Sequence, residues 1–127
     1  MAFRSNKRIG MDFEREICEL LARRGYWVHF IAPDARGAQP FDIIAMKHGI
    51  AHAIDCKTSV ASTFNISRLE ENQIMAFERW IKCGGTIPIV AIKHEGRIYA
   101  IEYSELKERK TINLNDRGAE YFWNDEV

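Results

Sequence analysis

The chain has 127 residues, 46% of them apolar and 28% charged, with a formal net charge of zero. That length carries one domain with a real core, and that composition excludes a disordered chain. The charge is unevenly spread: residues 1–101 carry 14 basic and 11 acidic side chains, and residues 102–127 carry 4 and 7. A polyanionic partner on the body is compatible with this balance, and so is a neutral protein with an acidic tail.

Cys18, Cys56 and Cys83 are widely spaced and form no C-x-x-C pair. They argue against a disulfide framework or a zinc knuckle and for a reducing, cytoplasmic setting. "MAFRSNKRIG" lacks the apolar stretch of a signal peptide, and no apolar run reaches membrane-spanning length.

In chain order, "FRSNKR" is a basic lead-in. From Met11 the apolar positions Phe13, Ile17, Leu20 and Leu21 predict a helix that stops at Gly25. "YWVHFIA" (26–32) predicts a strand, and "PDARGAQP" (33–40) a loop. "FDIIAM" (41–46) and "IAHAIDCK" (50–57) predict a hairpin turned by "KHG", and "TSVASTFN" a loop. "SRLEENQIMAFERWIK" (67–82) predicts a helix that opens on a capping box, Ser67 with Glu70, and closes at Gly84-Gly85. "TIPIVAIK" (86–93) and "RIYAIE" (97–102) predict a second hairpin around "HEG", which makes His48 and His94 exposed turn residues. Ser104 is placed to cap a short helix through Lys110. The order α-β-β-β-α-β-β predicts an α/β domain, a mixed central sheet with a helix on either side. The expected layout is a basic arm at 1–9, a core at 10–103 and a C-terminal extension at 104–127.

Alternation along the third strand puts Ala51, Ala53, Asp55 and Lys57 on one face, with open space expected above the alanines. Cys56 points the other way. The hairpin brings Asp42, at the start of the second strand, close to Asp55. Two convergent carboxylates suit a hard cation such as Mg²⁺ or Mn²⁺, and a nearby ammonium suits phosphodiester hydrolysis. On spacing alone, a surface salt bridge of Asp55 with Lys57 and a turn aspartate at 42 fit equally well. Gln73 lies on an apolar helical stripe with Leu69, Ala76 and Trp80, so it needs hydrogen-bond partners.

"PFDIIA…AIDCK" resembles the PD-(D/E)-x-K signature of the restriction-endonuclease-like nucleases, whose core order is α-β-β-β-α-β. "GMDFEREICELLARRGY" and "CGGTIPIVAIK" resemble segments of the archaeal Hjc-type Holliday-junction resolvases. "SNKRIGMDFE" and "TFNISRLEENQ" resemble the RecU-type resolvases. The resemblance spans residues 6–103. It implies Asp42 and Asp55 as the motif acids, Lys57 as the motif lysine, and Glu14 as the helix acid with Glu16 as fallback. It also implies the Cys56 backbone carbonyl as a metal ligand and Gln73 as a supporting site residue. Asp55 stands where many resolvases carry Glu. The RecU-type stalk has no room between the first two strands, which favours a compact, Hjc-like surface.

The resemblance therefore implies a single nuclease domain, an endodeoxyribonuclease that uses Mg²⁺, with Mn²⁺ as substitute. It implies a homodimer that resolves four-way DNA junctions by paired nicks. A nuclease of the same fold with another DNA substrate, or a non-catalytic DNA-binding module, are the alternatives. Arg4, Lys7, Arg8 and Arg36 are the candidate phosphate contacts. Tyr121, Phe122 and Trp123 are expected to pack on the body or to cover a dimer seam.

Overall fold

The computed structural model describes residues 6–33 and 39–117, with side chains from residue 8 onward. Helix α1 (Asn6–Arg23) starts well before Met11 and buries Phe13, Ile17 and Leu21, a four-residue spacing that aligns them on one face. It ends where Gly25 takes a left-handed φ of +88°. The Gly25 and Tyr26 N–H groups then close back on Ala22 and Leu21, a Schellman end.

Strand β1 (Trp27–Phe30) pairs antiparallel with β2 (Ile43–Lys47), and β2 with β3 (Ile50–Thr58). His48 and Gly49, at φ 53° and 79°, turn the β2–β3 hairpin. Positive φ at both central residues matches the right-handed twist of paired strands. Helix α2 (Glu71–Lys82) then carries the chain across, so that β5 (Ile89–His94) runs parallel beside β3. Strand β6 (Arg97–Glu102) returns antiparallel to β5 through Glu95-Gly96. The sheet order β1-β2-β3-β5-β6 makes β3 the central strand.

Alternation along these strands divides the apolar residues between two cores. Ile43, Ala45, Ile54 and Ala91 face α1. Ala53, Val90, Ile92, Tyr99 and Ile101 face Phe77 of α2 and Leu106 of α3 (Tyr103–Arg109). The mixed sheet with helices on either side is therefore present as expected.

Several local expectations are corrected. Ala53 does not leave open space, because it is fully buried in the cluster that holds Phe41 and Phe77. Residues 63–65 are not loop. They form β4 (Thr63–Asn65), antiparallel to β7 (Thr111–Asn113), a pairing of two three-residue strands too short to show a period. Ser67 sits in a 3₁₀ turn (Ile66–Arg68), and α2 starts only after Glu70, whose N–H bonds the Gln73 side chain at 2.9 Å. Ser104 is not a cap: Glu102 holds that position, since the Tyr103 N–H is taken by the Pro88 carbonyl. His94 ends β5 and is buried, with Nδ1 3.1 Å from the Ser59 carbonyl, so it is no exposed turn residue. Leu106, Ile112 and Leu114 are buried with the α2-side core, so the packed body continues well past residue 103. Among the described residues no helix is long and apolar enough to cross a membrane.

Candidate active site

Asp42 stands one step before β2. Its N–H donates to the Ile54 carbonyl at 3.1 Å and its carbonyl accepts from Ile31 at 2.7 Å. The backbone is thus pinned on both sides, and the Ile43–Ile54 register puts Asp42 against Asp55. Asp42 Oδ2 accepts the Cys56 N–H at 2.7 Å, and Oδ1 accepts from Gln39 Nε2 at 2.6 Å. The same Gln39 nitrogen donates to the Ile31 carbonyl at 3.2 Å, and Asn72 holds the Gln39 carbonyl at 2.7 Å.

Asp55 is fully buried at the centre of the sheet. Its Oδ1 accepts from Gln73 Nε2 at 3.0 Å. Its Oδ2 lies 3.2 Å from Lys57 Nζ, an ion-pair distance. The ammonium is not aimed at that oxygen, which accepts no hydrogen bond. Lys57 Nζ donates instead to Gln73 Oε1 at 3.0 Å, the oxygen that also receives the Glu70 N–H. One buried glutamine at the third position of α2 therefore ties the lysine, the aspartate and the helix start together. Its apolar-stripe position is explained by these partners.

Burial, and then the charge of Asp42, push the Asp55 carboxyl well above its ordinary range, with Lys57 opposing. Burial also raises Asp42, against the pull of the Cys56 N–H. Glu14, half-buried on α1, is raised from 4.5 to about 7, first by burial and then by Asp42, with Lys57 opposing. Acids buried this close together resist ionising beside one another, and a cation among them would favour their charged form. With a buried Asp55 oxygen that has no donor, this donor set fits a hard divalent cation. Among the described residues, no three His, Cys, Asp or Glu side chains converge as a cation cage. The centre is a two-carboxylate one, with Glu14 at its edge.

The other expected residues fall as follows. Glu16 pairs with Lys93 at 2.6 Å on the α1 side and is not the acid beside Asp42. Arg8 is exposed, 4.0 Å from Asp12. Lys7 lies in the first turn of α1, its side chain outside the described residues, as are Arg4, Arg36, Tyr121, Phe122 and Trp123. Burial and nearby carboxylates raise the Cys18 and Cys56 thiols, which keeps both protonated and inert. Gln39 was not foreseen. A polar residue three positions before Asp42 in a loop-like stretch carries no periodic signal, and only folding shows its amide on the carboxylate.

The layered sheet and the Asp42–Asp55–Lys57 arrangement define a restriction-endonuclease-like nuclease of the PD-(D/E)-x-K class. The fold is shared with the 1.6 Å structure of Archaeoglobus fulgidus Hjc, described as a Holliday junction resolvase from an archaeal hyperthermophile. That match has a TM-score of 0.62 and 21% identity, and covers 82% of this chain and 86% of that one. The chain belongs to the archaeal Holliday junction resolvase (Hjc) family, whose profile matches residues 5–119. It is 32% identical over 98 residues to the crossover junction endodeoxyribonuclease Hjc of Methanocaldococcus jannaschii, across 77% of this chain and 68% of that protein.

Proposed function

We propose that this chain is a divalent-metal-dependent endodeoxyribonuclease that cuts four-way DNA junctions. Asp42, Asp55, Lys57 and Gln73 are its working centre, with Glu14 beside them. The observation that carries this reading is the buried Asp42–Asp55 pair, with one oxygen lacking any donor, set against a lysine held in place by Gln73.

Asp42, Asp55 and the backbone carbonyl of Cys56 would hold the cation, with Glu14 as the outer acid. Mg²⁺ is the expected ion and Mn²⁺ the expected substitute. When bound, the cation polarises a phosphate oxygen and offsets the carboxylate charge. Lys57 has three N–H donors. One is spent on Gln73 Oε1, and the ammonium stands at ion-pair distance from Asp55. The remaining donors would orient the attacking water and then stabilise the charge that builds on the phosphoryl oxygens. The water oxygen bonds to phosphorus as the bridging P–O bond breaks, the water's proton passes to solvent, and the leaving sugar oxygen takes a proton from solvent. Gln73 and Gln39 are positioning residues, which hold Lys57 with Asp55 and Asp42 respectively.

A four-way junction is two-fold symmetric and its resolution takes two matched cuts, a geometry met by a symmetric homodimer with two sites. Arg4, Lys7, Arg8 and Arg36 would neutralise phosphates around each site. Such a role places the protein with DNA in the cytoplasm or nucleoid. The test is cleavage of a synthetic four-way junction, a linear duplex and a single strand, each with Mg²⁺ and with chelator. Symmetric nicks in the junction that need the cation are expected. Equal cutting of linear duplex would overturn the junction assignment, and cutting in chelator would overturn the metal assignment.

A further inference from the structure

Past Lys57 the chain leaves β3 and turns through Ser59, Val60 and Ala61. Val60 is 100% exposed. A single exposed apolar residue is ordinary in itself. This one sits on a turn braced from several elements. The Ser59 N–H donates to the Lys93 carbonyl at 2.9 Å, and the Ser59 carbonyl faces the buried His94 ring at 3.1 Å. Ser59 Oγ donates to the Ala61 carbonyl at 2.7 Å, and the Ser62 carbonyl accepts from Leu114 at 2.8 Å. Arg68 donates to the Thr58 carbonyl at 2.8 Å while its guanidinium lies over the Phe64 ring at 5.3 Å. The turn is therefore tied to several elements, and it presents the valine to solvent.

Beside the turn runs a groove of about 840 Å³, lined by Thr58, Ser59, Asn65, Ser67, Arg68 and Lys93 among others, with two cations and no carboxylate among the described residues of its lining. Lys93 shares its charge with Glu16. Ile9 of α1 forms another part of the wall, next in sequence to the exposed Arg8. Val60 follows Lys57 by three residues, so their Cα atoms lie within about 11 Å of each other, roughly three nucleotide steps along one strand.

We propose that residues 58–68 are the branch-recognition element of this nuclease. The groove takes the phosphodiester backbone of one DNA arm, and Val60 wedges against a base step close to the cut phosphate. Apolar wedges enter the stack at the cost of unstacking, and that cost is lowest where stacking is already broken. At the strand-exchange point of a junction two strands change helices and the arms can hinge apart, so a base step opens there more readily than inside a continuous duplex. This inference rests on the junction reading above and names the residue that would read the branch. Arg68 acts as a positioning residue, since it holds the turn through Thr58.

The experiment places 2-aminopurine at the branch of a four-way junction and measures binding and fluorescence in Mg²⁺, on a Lys57→Ala background to prevent cleavage. Linear duplex of the same length is the comparison. The Val60-intact protein is expected to bind the junction more tightly than the duplex, with a fluorescence rise that reports unstacking. Val60→Ser is expected to lose that rise and about tenfold of junction affinity, at the low end of what burying a valine is worth. Its duplex affinity and its melting temperature should not change, and Val60→Ile should restore the parent behaviour. A Val60→Ser protein that still prefers the junction and still gives the rise overturns the wedge, leaving the junction reading in place. So does one that weakens on junction and duplex alike. If the Val60-intact protein does not distinguish junction from duplex, the junction reading falls and the wedge with it.

Discussion

Gln73 reaches Asp55 with its amide nitrogen, and Lys57 and the Glu70 N–H with its oxygen, so no other orientation of that amide satisfies all three. Replacing it by alanine leaves the carboxylates and the lysine present but unsupported. A drop of about 10–100-fold in kcat with little change in junction KM is expected, the range for loss of a group that orients metal ligands. Steady-state kinetics on a junction substrate would show it, and an unchanged kcat would remove Gln73 from the centre. On the proposed function, Asp55→Asn and Lys57→Ala touch the chemistry itself. Each should lower cleavage by about 10³-fold or more while gel-shift binding of the junction survives. Cleavage at the wild-type rate in either variant would overturn the assignment. At this scale Gln73 is conspicuous in the sequence as an amide on an apolar stripe, whereas for Asp42, Asp55 and Lys57 spacing fits a site and a surface salt bridge equally well, and the PD-(D/E)-x-K resemblance points to the site. Gln39 was invisible, since nothing in a loop marks which polar residue will turn inward.

The elements that present these side chains stand or fall on close packing. Helix α2 closes on a Schellman end, with Gly84 at φ +92° and the Gly85 N–H on the Trp80 carbonyl. A Cβ on Gly85 would lie 2.3 Å from the Trp80 ring nitrogen, which itself donates to the Thr86 carbonyl. Gly85→Ala should therefore cost about 1–3 kcal/mol in denaturant unfolding, the usual range for overpacking. Gly49→Ala reports the opposite case, a left-handed backbone at φ +79° that penalises a side chain where the added Cβ meets nothing within 4 Å. Phe77→Ala, which empties the space under Phe41 and Tyr103, should cost about 3–5 kcal/mol. The main strands and both long helices were legible from periodicity and from the two Gly-containing turns. The start of α2 was not. Ser67 and Glu70 satisfy the capping-box spacing, but the Gln73 amide closes on the Glu70 N–H and moves the true helix start beyond Glu70.

Over the whole molecule, the buried acids couple stability to pH and to cations. The folded chain without a cation holds protons on Glu14 up to about 7, against 4.5 ordinarily, and on Asp42 and Asp55 in the same direction. Through that window the native state binds more protons than the unfolded chain, so stability falls as pH rises. In chelator, the melting temperature should be higher at about pH 5 than at about pH 8, and Mg²⁺ should raise it most at the higher pH, where it meets ionised acids. Thermal unfolding followed by circular dichroism checks both signs. A metal-free melting temperature that rises over the interval would contradict the buried-acid account, and Asp55→Asn should blunt both effects. The class of fold and the order of its main elements were determined by the sequence alone, and so was the set of candidate site residues on β3 and α2. Hydrophobic period and turn residues act locally, and a charge in an apolar run is conspicuous wherever the chain goes. Only the tertiary structure decided that Gln39 holds Asp42, that β4 finds β7, that His94 is buried behind Ser59, and that Val60 is held outward beside Lys57. Each of these contacts joins residues whose local sequence gives no periodic or turn signal for the partner, so only the packed fold specifies the pairing.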